Sequence, residues 1–486
     1  MLAQLERIKF GNLAADDASI SELQSYFVEQ RTFEEFYRKD DPLLISLGKK
    51  GIGKSALLKW SAGRVRELYP DDIVVSVRGV DLSTARFPTL KSGPSFNENV
   101  NGWMQRIATV INREIAKKIG FAFTDDDISL IETAEIEGFR SRGMVVSILD
   151  RLQNTIANKF EIERERIAIS NEIEALKRGR RSVWLFLDDM DATFINDPAE
   201  RMSVGSFFSA CRYLFQEKDE IFFRITLRTD VWTLVRESDE SLDKVVQYVR
   251  HIGWNISDFR TLIYNRLASN NKSYQVNESS EETQAFLIRQ YFQKDAPWGN
   301  KNIDLYRPIY TLSYHRPRWA LNICQMARES ACNRNSQIIE LIDVDNVLPE
   351  YSRERIRDLV AEHKHQCDKI DAVIYAFTNK PTRFTNDELV KLLNIVKANI
   401  NPTIEGRGSP SSIEIASFLY RIGFIVARKD TSSESYEHFH YEDMKQLLDP
   451  RFSAEPNLIW EIHPCYRKAL NLRDVAESQR KRRNKY

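Results

Sequence analysis

Between residues 41 and 252, short apolar runs alternate with longer amphipathic stretches. Leu43, Leu44, Ile45, Ser46 and Leu47 make the first run, and others follow at 73–77, 183–187 and 221–227, with a fifth at 245–249. Each is short and rich in β-branched or aromatic residues, as buried strands are. A helical pattern covers residues 55–69 between the first two runs. Strands that alternate with helices predict a doubly wound, mostly parallel α/β sheet.

The spacing is uneven. Roughly 100 residues separate the second and third runs, far more than one crossover helix needs, so something is inserted. Leu152, Ile156, Phe160, Ile167, Ile173 and Leu176 form a broken helical stripe there, interleaved with Glu161, Glu163, Arg164, Glu165 and Arg166. A helical insertion is therefore expected over about residues 120–180, either an ion-paired surface hairpin or a partner-docking arm.

The flanks differ in texture. Residues 1–40 are polar, with Ile20, Leu23, Tyr26 and Phe27, then Phe33, Phe36 and Tyr37, at helical spacing: a helical lead-in. An α/β core follows over 41–252. From 253 to 350 the pattern is helical, opening with Phe259, Leu262, Ile263 and Leu267 on one face, and reads as a helical lid. Residues 351–450 show helices at 368–377, 386–393 and 413–421 and strands at 423–427 and 436–441, a winged-helix-like order. Residues 451–486 read as a tail ending in Arg480, Lys481, Arg482, Arg483 and Lys485.

Composition narrows the class. Of the 486 residues, Lys and Arg total 70 and Asp and Glu total 70, a balance that argues against a nucleic-acid coat or a membrane-surface binder. It leaves room for a local DNA contact. No apolar run approaches the roughly 18 residues of a membrane-spanning helix. The opening residues lack a signal-peptide pattern, and five cysteines without a C-x-x-C pair read as thiols in a reducing compartment. A cytoplasmic protein without a membrane partner is expected.

The chemistry concentrates after the first strand. Gly48-Lys49-Lys50-Gly51-Ile52-Gly53-Lys54-Ser55 fits G-x-x-x-x-G-K-[ST] without a mismatch, between a strand and a helix. Glycines let backbone N–H groups converge on phosphate oxygens, and the helix N-terminus favours the same anion. Gly48, Gly51, Ile52, Gly53, Lys54, Ser55 and Ala56 form the expected ATP cradle. Lys54 supplies charge to the β- and γ-phosphates and the Ser55 hydroxyl ligates Mg²⁺.

An acidic pair closes the third strand: Trp184-Leu185-Phe186-Leu187-Asp188-Asp189-Met190-Asp191. Asp188 is placed to hold Mg²⁺, and Asp189 to orient or deprotonate the attacking water. Asp189 is one methylene shorter than a Glu, which predicts slow hydrolysis. After the fourth strand Arg228 is the expected γ-phosphate sensor, with Thr229 the alternative. Arg316-Pro317-Arg318 opens a helix at 319–327, from which Arg318 would reach the nucleotide. Arg236 and Arg250 are two candidates for an arginine finger between subunits of a homo-oligomer. His363, His365 and Cys367, and His438 and His440, alternate without a matching second pair, a weak metal signal.

The order of these motifs resembles STAND and AAA+ ATPases, in the layout that the origin-recognition initiators of archaea and eukaryotes share. More narrowly, Phe10-Gly11-Asn12-Leu13-Ala14-Ala15-Asp16-Asp17, the loop at 48–56 and His463-Pro464 resemble a group of bacterial P-loop ATPases often found among antiviral defence genes. The Asp-Asp pair is closer to STAND proteins than to initiators. The resemblance implies an ATP-dependent molecular switch that controls an effector or sensor protein. The alternative is a DNA-binding ATPase that loads or remodels through a winged helix. Its best recognition helix, 413–421, would bury Ile413, Ala416, Phe418 and Leu419 or a subset of them and offer Glu414, Ser417 and Arg421. The wing mixes Arg428 and Lys429 with Glu434 and Glu437, which favours protein contact over DNA.

Overall fold

A computed structural model describes residues 5–13, 15, 17–84, 95–119, 182–191, 194, 197–217, 220–238, 240–271, 273–299, 301–430, 436–441 and 458–473. The insertion expected at 120–180, most of the wing turn and the basic residues at 480–485 lie outside the described residues. The chain forms two compact units, Ala14–Gly253 and Met1–Leu13 with Trp254–Tyr486. Among the described residues no helix is long and apolar enough to cross a membrane.

In the first unit the apolar runs become five parallel strands: β1 (Leu43–Leu47), β2 (Ile73–Arg78), β3 (Val183–Asp188), β4 (Ile221–Leu227) and β5 (Val249–His251). Their spatial order is β2-β3-β4-β1-β5. β1 and β4 are buried at every position because helices cover both faces. The helices are α1 (Ile20–Gln24), α2 (Lys54–Leu68), α3 (Gly79–Thr84), α4 (Phe96–Ile119), α5 (Pro198–Glu217) and α6 (Thr229–Ser238). One face of the sheet sets Ile45, Leu185 and Phe223 against Trp103, Phe207 and Trp232 from α4, α5 and α6.

The opposite face carries an aromatic layer, Trp184 stacked on Phe222 at 4.6 Å and on Tyr69 at 5.9 Å. Arg224 of β4 is fully buried in it. Its guanidinium lies 4.8 Å from the Trp184 ring and donates to the carbonyls of Phe36 (2.8 Å), Phe223 (2.9 Å) and Arg38 (2.7 Å). Burial lowers its pKa to about 9. Through these bonds the segment 31–38 is tied to the sheet. Asp72 adds a second tie, pairing with Lys39 at 2.8 Å and accepting from the Trp184 indole at 2.8 Å.

The fifth strand is shorter and later than the run at 245–249 suggested. Glu240–Lys244 and Val246–Tyr248 form two 3-10 turns around buried Leu242 and Val245, and the pairing with β1 is made by Val249, Arg250 and His251.

The second unit begins with α7 (Ile256–Ala268), α8 (Glu281–Arg289), the hairpin β6 (Ala296–Trp298) and β7 (Lys301–Ile303), α9 (Tyr306–Leu312), α10 (Pro317–Asn333) and α11 (Leu341–His363). Residues 5–13 join it: Phe10 meets Phe292 edge-on at 6.1 Å, and its carbonyl accepts from Arg266 at 2.8 Å. A buried ion pair, Arg316–Glu362 at 3.0 Å, joins the start of α10 to the end of α11. Then come α12 (Ile370–Tyr375), β8 (Arg383–Phe384), α13 (Asn386–Ile400), α14 (Ser412–Arg421), β9 (Ile425–Asp430), β10 (Tyr436–Phe439) and β11 (Leu458–Ile462). The last four strands form an antiparallel sheet in the order β10-β9-β11-β8.

One expectation needs correction here. β11 lies inside that sheet with Trp460 and Ile462 buried, so residues 458–473 are not a tail. Leu458-Ile459-Trp460-Glu461-Ile462 has the period of a strand, but a polar stretch precedes it. In α14 the buried subset is Ala416, Phe418 and Leu419, joined by Ile415, whereas Ile413 is 40% exposed. The capping box between Ser411 and Glu414 fixes where the helix starts and so which face turns inward.

Candidate nucleotide site

β1 ends at Leu47, and the chain passes through residues 48–53 into α2. Gly53 caps the helix with φ at +108°, where any side chain would strain the backbone. Gly48 is required for a different reason: a Cβ there would lie 2.6 Å from Ile52 Cγ2. Lys54 folds back across the loop, its Nζ donating to the carbonyls of Gly48 at 2.8 Å and Lys49 at 3.2 Å. Ser55 and Ala56 follow in the first turn of α2, part-exposed.

The acidic pair stands at the same edge of the sheet. β1 pairs with β4 so that Ser46 faces Thr226, and β3 pairs with β4 so that Leu187 faces Ile225. Thr226 therefore lies between the loop and the acids. Its hydroxyl donates to Asp188 Oδ1 at 2.5 Å and accepts from the Asp189 N–H at 3.1 Å. Asp188 is half-buried and Asp189 exposed, with Asp189 at φ +52°.

Arg228 is turned onto Asp191. Asp191 Oδ2 accepts from the Arg228 backbone N–H at 2.8 Å and from its Nε at 2.9 Å. Thr229 opens α6, its carbonyl accepting from Thr233. Arg318 belongs to the other unit, where its Nε donates to the Leu13 carbonyl at 3.2 Å. Of the two finger candidates, Arg250 is held inside its own unit by Glu35 at 2.6 Å and Asp41 at 3.1 Å. Arg236 is about half exposed, 3.6 Å from Asp243.

Thr226 and Asp191 were not singled out from sequence. Thr226 looks like any β-branched strand residue until its register with β3 is known. Asp191 was visible in the Asp188-Asp189-Met190-Asp191 run, but its partner was not.

The oxygen donors suit a hard cation held with a phosphate: the Ser55 hydroxyl and the Asp188 carboxylate are of the type that Mg²⁺ takes. The loop suits the phosphates, since the close approach at Gly48 and the left-handed Gly53 leave its backbone without side chains where an anion would sit. The crevice is also the place expected for a ligand. In β2-β3-β4-β1-β5, successive strands lie on opposite sides of β4 and β1, and ligands bind where strand order reverses, beyond the carboxyl ends. This is the doubly wound parallel sheet of a P-loop NTPase, followed by a helical region.

A family model described as the FunZ-associated C-terminal helical domain matches residues 257–360. No curated protein matches the chain. Among solved structures, the chain is similar to the Aeropyrum pernix ORC2 protein in its ADPNP–ADP complexes: 12% identity over 93% of this chain and 91% of that one, TM-score 0.44. It is similar to the Walker-type ATPase PABY2304 of Pyrococcus abyssi, at 10% identity over 85% and 94% of the two chains, TM-score 0.41. The Aeropyrum pernix ORC1 protein in complex with DNA matches at 14% identity over 88% and 90%, TM-score 0.33.

Proposed function

We propose that this chain binds ATP and hydrolyses it slowly, as a molecular switch on a partner effector or sensor protein. The observation that carries the reading is the gathering of Lys54, Asp188 and Asp189 at one edge of the sheet, on either side of Thr226. The loop N–H groups and the α2 N-terminus take the phosphates. Lys54, held over the loop by two carbonyls, adds its charge to the outer phosphates. Ser55 and Asp188 would hold Mg²⁺, which supplies charge neutralisation on the phosphates when bound. Asp189 accepts the proton of the attacking water from an exposed position. Its short side chain reaches less far than a Glu, which supports slow turnover. Arg228 senses the γ-phosphate by exchanging its carboxylate partner. Between subunits, Arg236 is the better finger candidate. The setting we propose, bacterial antiviral defence, rests on the sequence resemblance at residues 10–17 and 48–56.

Lys54→Ala should abolish binding of a fluorescent ATP analogue, whereas Asp189→Ala should keep binding and lose turnover. Wild-type affinity in Lys54→Ala would overturn the reading.

One observation favours DNA as a second partner. Arg383, Arg428 and Arg467 all pair with Glu461 on the C-terminal sheet, so guanidinium groups outnumber that one buried carboxylate. A duplex affinity that falls steeply with salt would support this reading, and one indifferent to salt would remove it.

A further inference from the structure

Asp189 sits in left-handed backbone, at φ +52°. That conformation is routine for glycine and only occasional for aspartate, so the surroundings help to hold it there. Two features do so. The Asp189 N–H donates both to Asp188 Oδ1 at 3.0 Å and to Thr226 Oγ1 at 3.1 Å. On the other side the turn lies hard against the first residue of α3: a Cβ on Gly79 would come within 2.5 Å of Met190 Cα and 2.8 Å of the Asp189 carbonyl.

The direction of the hydroxyl bond follows from chemistry. A backbone N–H can only donate, so the Thr226 oxygen accepts from Asp189 and sends its own proton to Asp188 Oδ1. One buried hydroxyl thus orders both acids, and Thr226 is fully buried, shut away from competing water. Valine has nearly the shape of threonine and would pack there, but it can make neither bond.

We infer that Thr226 is the positioning residue of this site, fixing the Asp188 carboxylate and the turn at Asp189, and that it serves the hydrolytic step and the metal-dependent part of nucleotide binding. Thr226 itself touches no phosphate; it acts through the two aspartates. This rests on the ATPase reading above.

The test compares Thr226→Val and Thr226→Ser in the full chain with the wild type. Turnover is measured against ATP concentration, and binding of a fluorescent ATP analogue with and without Mg²⁺. Displacing a catalytic group by about 1 Å can cost about 100-fold, so Thr226→Val should lose about tenfold to a hundredfold in kcat with KM little changed. Thr226→Ser, which keeps the hydroxyl, should recover most of it. Thr226→Val should also bind the analogue normally without Mg²⁺ and lose the gain in affinity that Mg²⁺ gives the wild type.

Wild-type kcat in Thr226→Val overturns the inference. So does an equal defect in Thr226→Ser, which would trace the effect to packing. A wild-type protein that binds the analogue but never turns over would count against the ATPase reading alone. The Mg²⁺ comparison still decides the role of Thr226, because an unchanged Mg²⁺ gain in Thr226→Val overturns it. Should Thr226→Val fail to fold, Thr226→Ala removes the same hydroxyl with no added bulk and carries the same expectations.

Discussion

The carboxylate of Asp191 holds Arg228 twice, by the backbone N–H at 2.8 Å and by the guanidinium Nε at 2.9 Å. The pair is largely buried, and two bonds to one oxygen fix where α6 leaves β4. Removing Asp191 takes both bonds from a largely buried guanidinium and leaves Asp230 at 3.9 Å from its Nε. Asp191→Ala should therefore lower the stability of the α/β unit by about 3 kcal/mol, read from urea unfolding. An unchanged midpoint would mean that water screens the pair.

Arg224 has no carboxylate among its bonded partners and is held by three backbone carbonyls. Arg224→Met keeps much of the volume but leaves the Phe36 and Arg38 carbonyls without this donor. Stability should fall by about 2 kcal/mol. Amide exchange should quicken in residues 31–38 and stay slow in β1. Uniform quickening across the unit would show that the arginine supports the whole sheet instead.

Gly423, at φ +78°, lies under the Tyr314 ring, and a Cβ there would meet Tyr314 Oη at 2.3 Å. Gly423→Ala should cost about 1–3 kcal/mol in thermal unfolding. Gly406→Ala, also at φ +78° but with nothing within 4 Å, is the matched control and should cost only the backbone strain that the two positions share. Equal effects would refute the steric account.

His463 is buried 4.4 Å from the Tyr314 ring, its Nδ1 accepting from the Cys465 N–H. Burial, then His440 and His315, holds its pKa well below the ordinary histidine value. The folded form thus keeps His463 neutral where the unfolded chain would take up a proton. Its contribution is complete above about pH 6.5 and is lost as pH falls below that, by about 1.4 kcal/mol per pH unit. Unfolding followed from pH 7.5 to 5 should show this slope, and His463→Asn should flatten it. A slope that survives the substitution would belong to other groups. Below the ordinary carboxylate range Glu461 adds to the loss. Burial pushes its pKa up, but the His438 hydrogen bond and Arg467 outweigh that and leave it low.

The parallel sheet was legible because its strands are buried on both faces and so read as near-continuous apolar runs. β1 and β4 fall on the residues the pattern indicated. The geometry at Gly48 and Gly53 was legible for a different reason, since a close approach to Ile52 and a left-handed helix cap tolerate few residue types. What escaped notice depends on register. Thr226 matters because β4 lies beside β3, and nothing within Ile225-Thr226-Leu227 announces that neighbour. β5 was misplaced because Val245 is apolar for a turn packed under the sheet rather than for a strand. Arg250 stood as a finger candidate because nothing in the sequence links it to Glu35 and Asp41, which close on it in the fold.

Residues 5–13 pack with residues beyond 253, and β11, which lies inside the C-terminal sheet, comes only at 458–462. Synthesis therefore delivers the two units in a fixed order. All five strands of the parallel sheet have been synthesised by residue 251, whereas the second unit waits for an inner strand of its own sheet until nearly the last residue described. Phe10 meets its contacts Arg266 and Phe292 only when those residues have followed, and until then it is open to chaperones or to other chains. A ribosome stalled before residue 458 would hold a finished α/β unit on an unfinished second half.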